Sequence, residues 1–192
     1  MSECAAKLSR ASVETAGAGD NAYSPKLFSL SGGKKIALLA ISDVACGRSS
    51  DAQLARANNR VLLESAIAKA RSQADIVTCL VPWGIENVNI VTDQQRELSR
   101  WLVDNRVDLV VGSHPHCVQL LDFYHGCPVA YSLGNLVFDG APTVASWNHG
   151  ALLEVRLSAD ASITATRLIP IILEDGLPKI VTPPEKDAFA RQ

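Results

Sequence analysis

The chain has 192 residues, 47% of them apolar and 20% charged, with a formal net charge of −2; that is ordinary globular composition, long enough for one domain with a real core. A near-neutral chain without a basic stripe lacks the electrostatic footprint of a nucleic-acid binder. No apolar run approaches the ~20 residues of a membrane span. Glu3, Lys7 and Arg10 stand where a secretory signal would carry its apolar segment, so the chain as given is expected in the cytoplasm, or outside it or at a membrane if an upstream segment precedes it.

Residues 1–33 are small, polar and glycine-rich, and read as loop or tail, with 1–15 a disordered tail. Lys34 to Ile41 is a continuous apolar run that suits a strand buried on both faces. Ser42 to Asp51 reads as a polar loop. Asn58 to Ser72 is helical, with Leu63, Ala66, Ile67 and Ala70 on one face. Asp75 to Val81 is a second buried strand, stopped by Pro82-Trp83-Gly84. Thr92 and Gln95 form a capping box that starts a helix expected to bury Leu98 and Trp101. Asp108 to Gly112 is a third buried strand. This β-α-β-α-β pattern implies parallel strands, the second and third adjacent, with their following loops on one sheet edge.

The pattern then changes. Val118 to Tyr124, Pro128 to Leu133, Ala151 to Leu157 and Ile163 to Leu173 read as strands joined by short turns, the first at His125-Gly126. Antiparallel hairpins after βαβ units predict an α/β fold with a mixed sheet or a two-sheet sandwich flanked by helices. Residues 176–192 read as a surface tail. Five cysteines, an odd number with no C-x-x-C pair, indicate neither a disulfide framework nor a zinc ribbon. Cys79 reads as core, and a catalytic thiol at Cys117 is a minor alternative.

Ligands of open α/β sheets bind beyond the carboxyl ends of parallel strands. Two loops lie at such ends: Pro82-Trp83-Gly84-Ile85-Glu86 and Ser113-His114-Pro115-His116. In extended backbone, residues i and i+2 share a side, so His114 and His116 could aim two imidazoles at one metal ion. Pro115 favours extended geometry at His114. The alternative is a pair of surface or core-edge histidines. Glu86 offers a carboxylate ligand or base, or else a solvated loop charge. In Ser132-Leu133-Gly134-Asn135, the glycine permits close backbone approach and Asn135 can hydrogen-bond a site group, although Gly-Asn also simply marks turns. Trp147-Asn148-His149-Gly150 reads as a loop turn, and His125 as exposed.

Taken in order, these pieces resemble a family. Gly17-Ala18-Gly19 with Asn21, Asp43-Val44, Asp75-Ile76-Val77, Trp83-Gly84 with Glu86, Thr92-Asp93 with Gln95-Arg96 and Leu98, Asp108 through Gly112, His114-Pro115-His116 with Gln119, and Tyr131 through Asn135 with Val137-Phe138-Asp139 are similar to the bacterial capsule-synthesis CapA family, linked to poly-γ-glutamate production. The resemblance covers roughly residues 16–175, expected as one domain. It implies a calcineurin-like metallophosphatase-type two-sheet sandwich with a divalent metal (manganese, iron, zinc or magnesium) at the strand ends. His114 and His116 match the metal-binding G-H-H-P-H loop, with Ser113 in place of its first histidine. Trp83, Gly84 and Glu86 match H-W-G-x-E, with Pro82 in place of its histidine. Glu86 and Asn135 are the implied catalytic supports.

The family's N-terminal Gly-Asp and Asn-Asn-His motifs are absent; Asn58-Asn59-Arg60 echoes the latter only by composition and lies on the wrong side of the Asp43-Val44 strand. The chain thus resembles the C-terminal portion of the family's domain, incomplete at its N-terminus, with the metal weakly held or absent and little or no catalysis expected of the isolated chain. Implied partners are poly-γ-glutamate or another polymer, capsule-synthesis proteins, and a second copy through an unpaired sheet edge. A metal-dependent phosphoester or amide hydrolase unrelated to capsules and a non-catalytic scaffold are the rival readings.

Overall fold

The computed structural model describes residues 7–181 apart from 9, 12, 20, 45–53 and 139–144. Asp139, most of the Ser42–Asp51 loop and the end of the expected tail lie outside the described residues.

Three apolar runs become the parallel centre of a six-stranded sheet: β2 (Lys35–Ala40), β3 (Ile76–Pro82) and β4 (Leu109–Ser113). A hairpin, β5 (Leu121–Tyr124) and β6 (Cys127–Ala130), extends it, and β1 (Lys26–Ser29) closes the other side. The strand order is β1-β2-β3-β4-β6-β5. Pairing is parallel from β2 through β6 and antiparallel at both flanks. The hairpin turns at His125 (φ 49°) and Gly126 (φ 81°). Two positive φ values in a two-residue loop match the twist of the flanking strands.

Helix α1 (Arg60–Gln73) joins β2 to β3, and α2 (Asp93–Asp104) joins β3 to β4. Asn59 caps α1 by accepting from the Leu62 amide. Both bonds of the Thr92–Gln95 capping box form at α2. Alternate sheet residues Ala37, Leu39, Val77, Cys79, Val81 and Val110 join Leu63 and Ile67 of α1 and Leu98 and Leu102 of α2 in one buried cluster. Trp101 packs against this cluster as expected but is only partly buried, with the Arg60 guanidinium 4.3 Å above its ring, while Leu98 and Leu102 take the fully buried inward face.

A second sheet is a three-stranded antiparallel meander, β7 (His149–Leu157), β8 (Ile163–Glu174) and β9 (Leu177–Ile180). The molecule is thus α/β with two sheets and helices, as expected. The sheets meet where residues 133–135 cross the start of β7: Ala151 donates to the Leu133 carbonyl at 2.7 Å and Asn135 to the His149 carbonyl at 3.3 Å. The crossing is backbone on backbone. A Cβ on Gly150 would stand 2.0 Å from the Asn135 carbonyl oxygen, and one on Gly134 2.5 Å from that of His149. Glycine is required at both.

Three expectations are corrected. Residues 1–33 are not all loop: β1 pairs with β2, Ala22 is buried, and Gly17 packs so close to Ala40 that a Cβ would lie 2.5 Å from its carbonyl. Within the expected 176–192 tail, Leu177–Ile180 pairs with β8 as an exposed edge strand. The expected strand from Val118 is regular only from Leu121; Val118 makes an isolated bridge to Leu133.

Candidate functional site

The register pairs Pro82 with Ser113, so β3 and β4 deliver their following loops side by side on one sheet edge. The loops are bonded to each other as well: Trp83 donates its amide to the Ser113 carbonyl (3.1 Å) and Asn87 to the Pro115 carbonyl (2.8 Å). Trp83 is fully buried and its indole Nε1 donates to the Tyr131 carbonyl at 2.7 Å. Gly112 makes room for that bond, since a Cβ there would lie 2.3 Å from the indole nitrogen and 2.0 Å from the Tyr131 oxygen.

A relay of buried amides ties the loop after β3 to the segment after β4. Gln95 accepts from the Thr92 amide (3.0 Å) and donates through Nε2 to Gln119 Oε1 (2.9 Å). Gln119 Nε2 donates in turn to the carbonyls of Val88 (2.8 Å) and Ile90 (3.3 Å). Gly84 packs on Gln95, whose side chain would lie 2.9 Å from a Cβ there. Each buried amide is thereby satisfied, as burial requires.

His114 (φ 95°) and His116 (φ 58°) both have left-handed backbone, so the expected extended geometry at His114 is overturned. The chain must reverse between β4 and the Val118 bridge, and positive φ at both histidines makes that reversal. Their ring centroids are 6.3 Å apart, tilted by 52°. His116 lies among aromatic rings, with Trp147 at 5.1 Å and Phe138 at 5.8 Å. Its Nδ1 bonds Asn135 Oδ1 at 2.8 Å, and Asn135 Nδ2 donates to the Trp147 carbonyl at 3.0 Å. Trp147 Nε1 donates to Asn87 Oδ1, closing a circuit back to the loop that carries Glu86.

Glu86 is exposed. Asp43, beyond the end of β2, accepts from Gln94 Nε2 at 2.9 Å, and burial raises its carboxyl above the ordinary aspartate range. Burial likewise pushes the Cys117 thiol up, opposite to what an activated thiolate needs. His125 is exposed in its turn, and His149 starts β7.

With metal–nitrogen bonds of about 2.0–2.1 Å, two imidazoles on one tetrahedral ion bring their centroids to about 5 Å. At 6.3 Å the pair fits one ion only from nearly opposite sides. No group of three or more His, Cys, Asp or Glu that could hold a metal exists among the described residues. The described residues therefore supply two imidazoles and do not by themselves make a complete metal centre. Of the residues singled out in the sequence, His116 and Asn135 are in direct contact and His114 is adjacent. Trp147 and Asn87 were missed. Trp147-Asn148 read as a turn, and nothing local signals that an indole will lie against a histidine 31 positions earlier.

Comparison with known proteins supplies the context. The chain is 33% identical over 126 residues to the PGA biosynthesis protein CapA of Bacillus subtilis (strain 168), covering 66% of this chain and 32% of that protein. It is 31% identical over 182 residues to the capsule biosynthesis protein CapA of Bacillus anthracis, covering 90% of this chain and 43% of that protein. It thus spans less than half the length of either relative. A hypothetical protein from Thermus thermophilus is a distant structural likeness, with a TM-score of 0.39 and 13% identity over 81% of this chain and 58% of that one. The family model described as bacterial capsule synthesis protein PGA_cap matches residues 1–140, and the chain belongs to that family.

Proposed function

We propose that this chain serves capsule-polymer biosynthesis, with poly-γ-glutamate as the polymer, and that its His114–His116 edge is a partial divalent-metal site that binds rather than catalyses. The single observation that carries the reading is the convergence of the two family motif loops on one strand-end edge, joined through Pro82 and Ser113. Family membership supports the capsule role. Two imidazoles with no third ligand among the described residues support weak retention of metal, since catalytic centres use about three protein ligands. A binding role is favoured over hydrolysis of phosphoesters or amides for the same reason.

The test is metal content after dialysis against manganese, together with turnover of a generic phosphodiester in added manganese. Substoichiometric metal and negligible turnover are expected. Stoichiometric retained metal with robust turnover, both abolished by His114→Ala, would make the chain a self-sufficient enzyme. Deleting the gene from its own host should lower capsular polymer; an unchanged polymer level would remove the capsule role.

A further inference from the structure

We infer that Asn135, itself oriented by the Trp147 carbonyl, holds neutral His116 as the tautomer protonated on Nδ1, so that this loop presents the Nε2 lone pair to an electron-pair acceptor. The far end of the chain of bonds sets the orientation of the Asn135 side chain. A backbone carbonyl only accepts, so the Asn135 atom 3.0 Å from the Trp147 oxygen must be the amide nitrogen. Rotating the amide by half a turn would place two acceptors against each other at that distance. The other terminus, 2.8 Å from His116 Nδ1, is therefore Oδ1, which can only accept. Nδ1 must carry the proton, and in the neutral ring Nε2 then holds a lone pair. Nε2 has no hydrogen-bond partner among the described residues.

Other contacts fix the arrangement. Asn135 is buried, at 8% exposure, and its backbone N–H donates to the His149 carbonyl. The His116 ring is flanked by Trp147 and Phe138, which themselves pack edge-on at 4.8 Å. Trp147 is pinned through Nε1 to Asn87. Asn135 and Trp147 are thus positioning residues, acting through His116. The inference rests on the preceding reading only for the identity of the acceptor, a divalent cation; the tautomer stands on the hydrogen bonds alone.

The experiment is long-range nitrogen–proton NMR on the metal-free chain at a pH where the histidines are neutral. It distinguishes a pyrrole-type from a pyridine-type nitrogen in each ring. For His116 the expected result is pyrrole-type Nδ1 and pyridine-type Nε2. Asn135→Leu, which removes the acceptor, should abolish that preference. Trp147→Phe should keep it, because the contact to Asn135 is through the backbone. A pyridine-type Nδ1 in the wild type, or an unchanged tautomer in Asn135→Leu, would overturn the inference. If Asn135→Leu fails to fold, Asn135→Ala takes its place with the same expected loss, and an unchanged tautomer there would overturn the inference instead. Zinc titration then tests the acceptor separately: it should perturb Nε2 of His116, with affinity roughly 10–100-fold weaker in Asn135→Leu. The expected tautomer with no response to zinc would refute the metal reading while leaving the tautomer assignment in place.

Discussion

Gly112→Ala puts the packing behind the two loops to a severe test. Gly112 does not have the left-handed backbone that penalises side chains. On backbone grounds alone, alanine should stabilise the fold by about 0.4–1 kcal/mol through the unfolded chain. The contacts oppose this. The new Cβ would sit 2.0 Å from the Tyr131 carbonyl oxygen and 2.3 Å from Trp83 Nε1, the acceptor and donor of a buried 2.7 Å hydrogen bond. Neither is the free end of a flexible side chain: one is backbone and the other a fully buried indole. Overpacking a core costs about 1–3 kcal/mol, and unpairing a buried polar group about 1–3 more. The steric and polar costs outweigh the entropic gain, and the net loss should be about 1–5 kcal/mol. Urea unfolding followed by circular dichroism, in the wild type, Gly112→Ala, Trp83→Phe and the double variant, measures it. In the Trp83→Phe background one of the two clashing atoms is gone and the hydrogen bond is already broken, so Gly112→Ala should cost less there. A stabilised Gly112→Ala, or a penalty just as large without the indole nitrogen, would refute the reasoning.

Trp101→Ala should cost about 1–3 kcal/mol, below the ~3–5 of a fully buried aromatic, because the ring is only partly buried beneath Arg60; a loss above 4 in the same denaturation assay would show that the ring is core. Cys79 is fully buried and its thiol is pushed up to about 12, so native protein should leave it unalkylated by iodoacetamide at pH 8 and label it only on unfolding, as peptide mass mapping will read. Asp75 accepts from the Lys35 amide (2.9 Å) and from Lys34 Nζ (3.1 Å), which hold its carboxyl below the ordinary range. The unfolded state then binds more protons than the folded state around and below about pH 3.9. The contribution of this group is present above that value and lost as pH falls through the depressed one. Asp75→Asn should accordingly flatten the acid limb of stability against pH; an unchanged limb would rule out the linkage.

Much of this architecture is legible in the sequence because its signals are local. Continuous apolar runs mark β2, β3 and β4; β3 is covered on both faces and has no polar side to alternate, whereas in β2 only Ala37 and Leu39 are fully buried. Thr92 and Gln95 announce α2 by a capping box complete within four residues, and His125-Gly126 announces its own turn. The adjacency of the two motif loops follows from the βαβ pattern, because a short crossover returns the chain to a neighbouring parallel strand. Edge strands are less visible. In β9 all four residues are exposed, so there is no inward face for a pattern to record, and backbone pairing with β8 alone makes it a strand.

Tertiary structure decided the chemistry of the histidines. Sequence placed His114 and His116 at a strand end, yet their separation and left-handed backbone depend on where the chain must next pair, at Val118 and Leu133. The Gln95–Gln119 bond spans 24 positions, and Trp147 reaches Asn87 across 60. Such contacts leave no periodicity, because each is made by one side chain meeting a partner that the fold, and not the neighbouring residues, brings within reach. Periodicity encodes which face of an element is buried; which proton a partly buried imidazole keeps depends on the single acceptor that packing sets beside it.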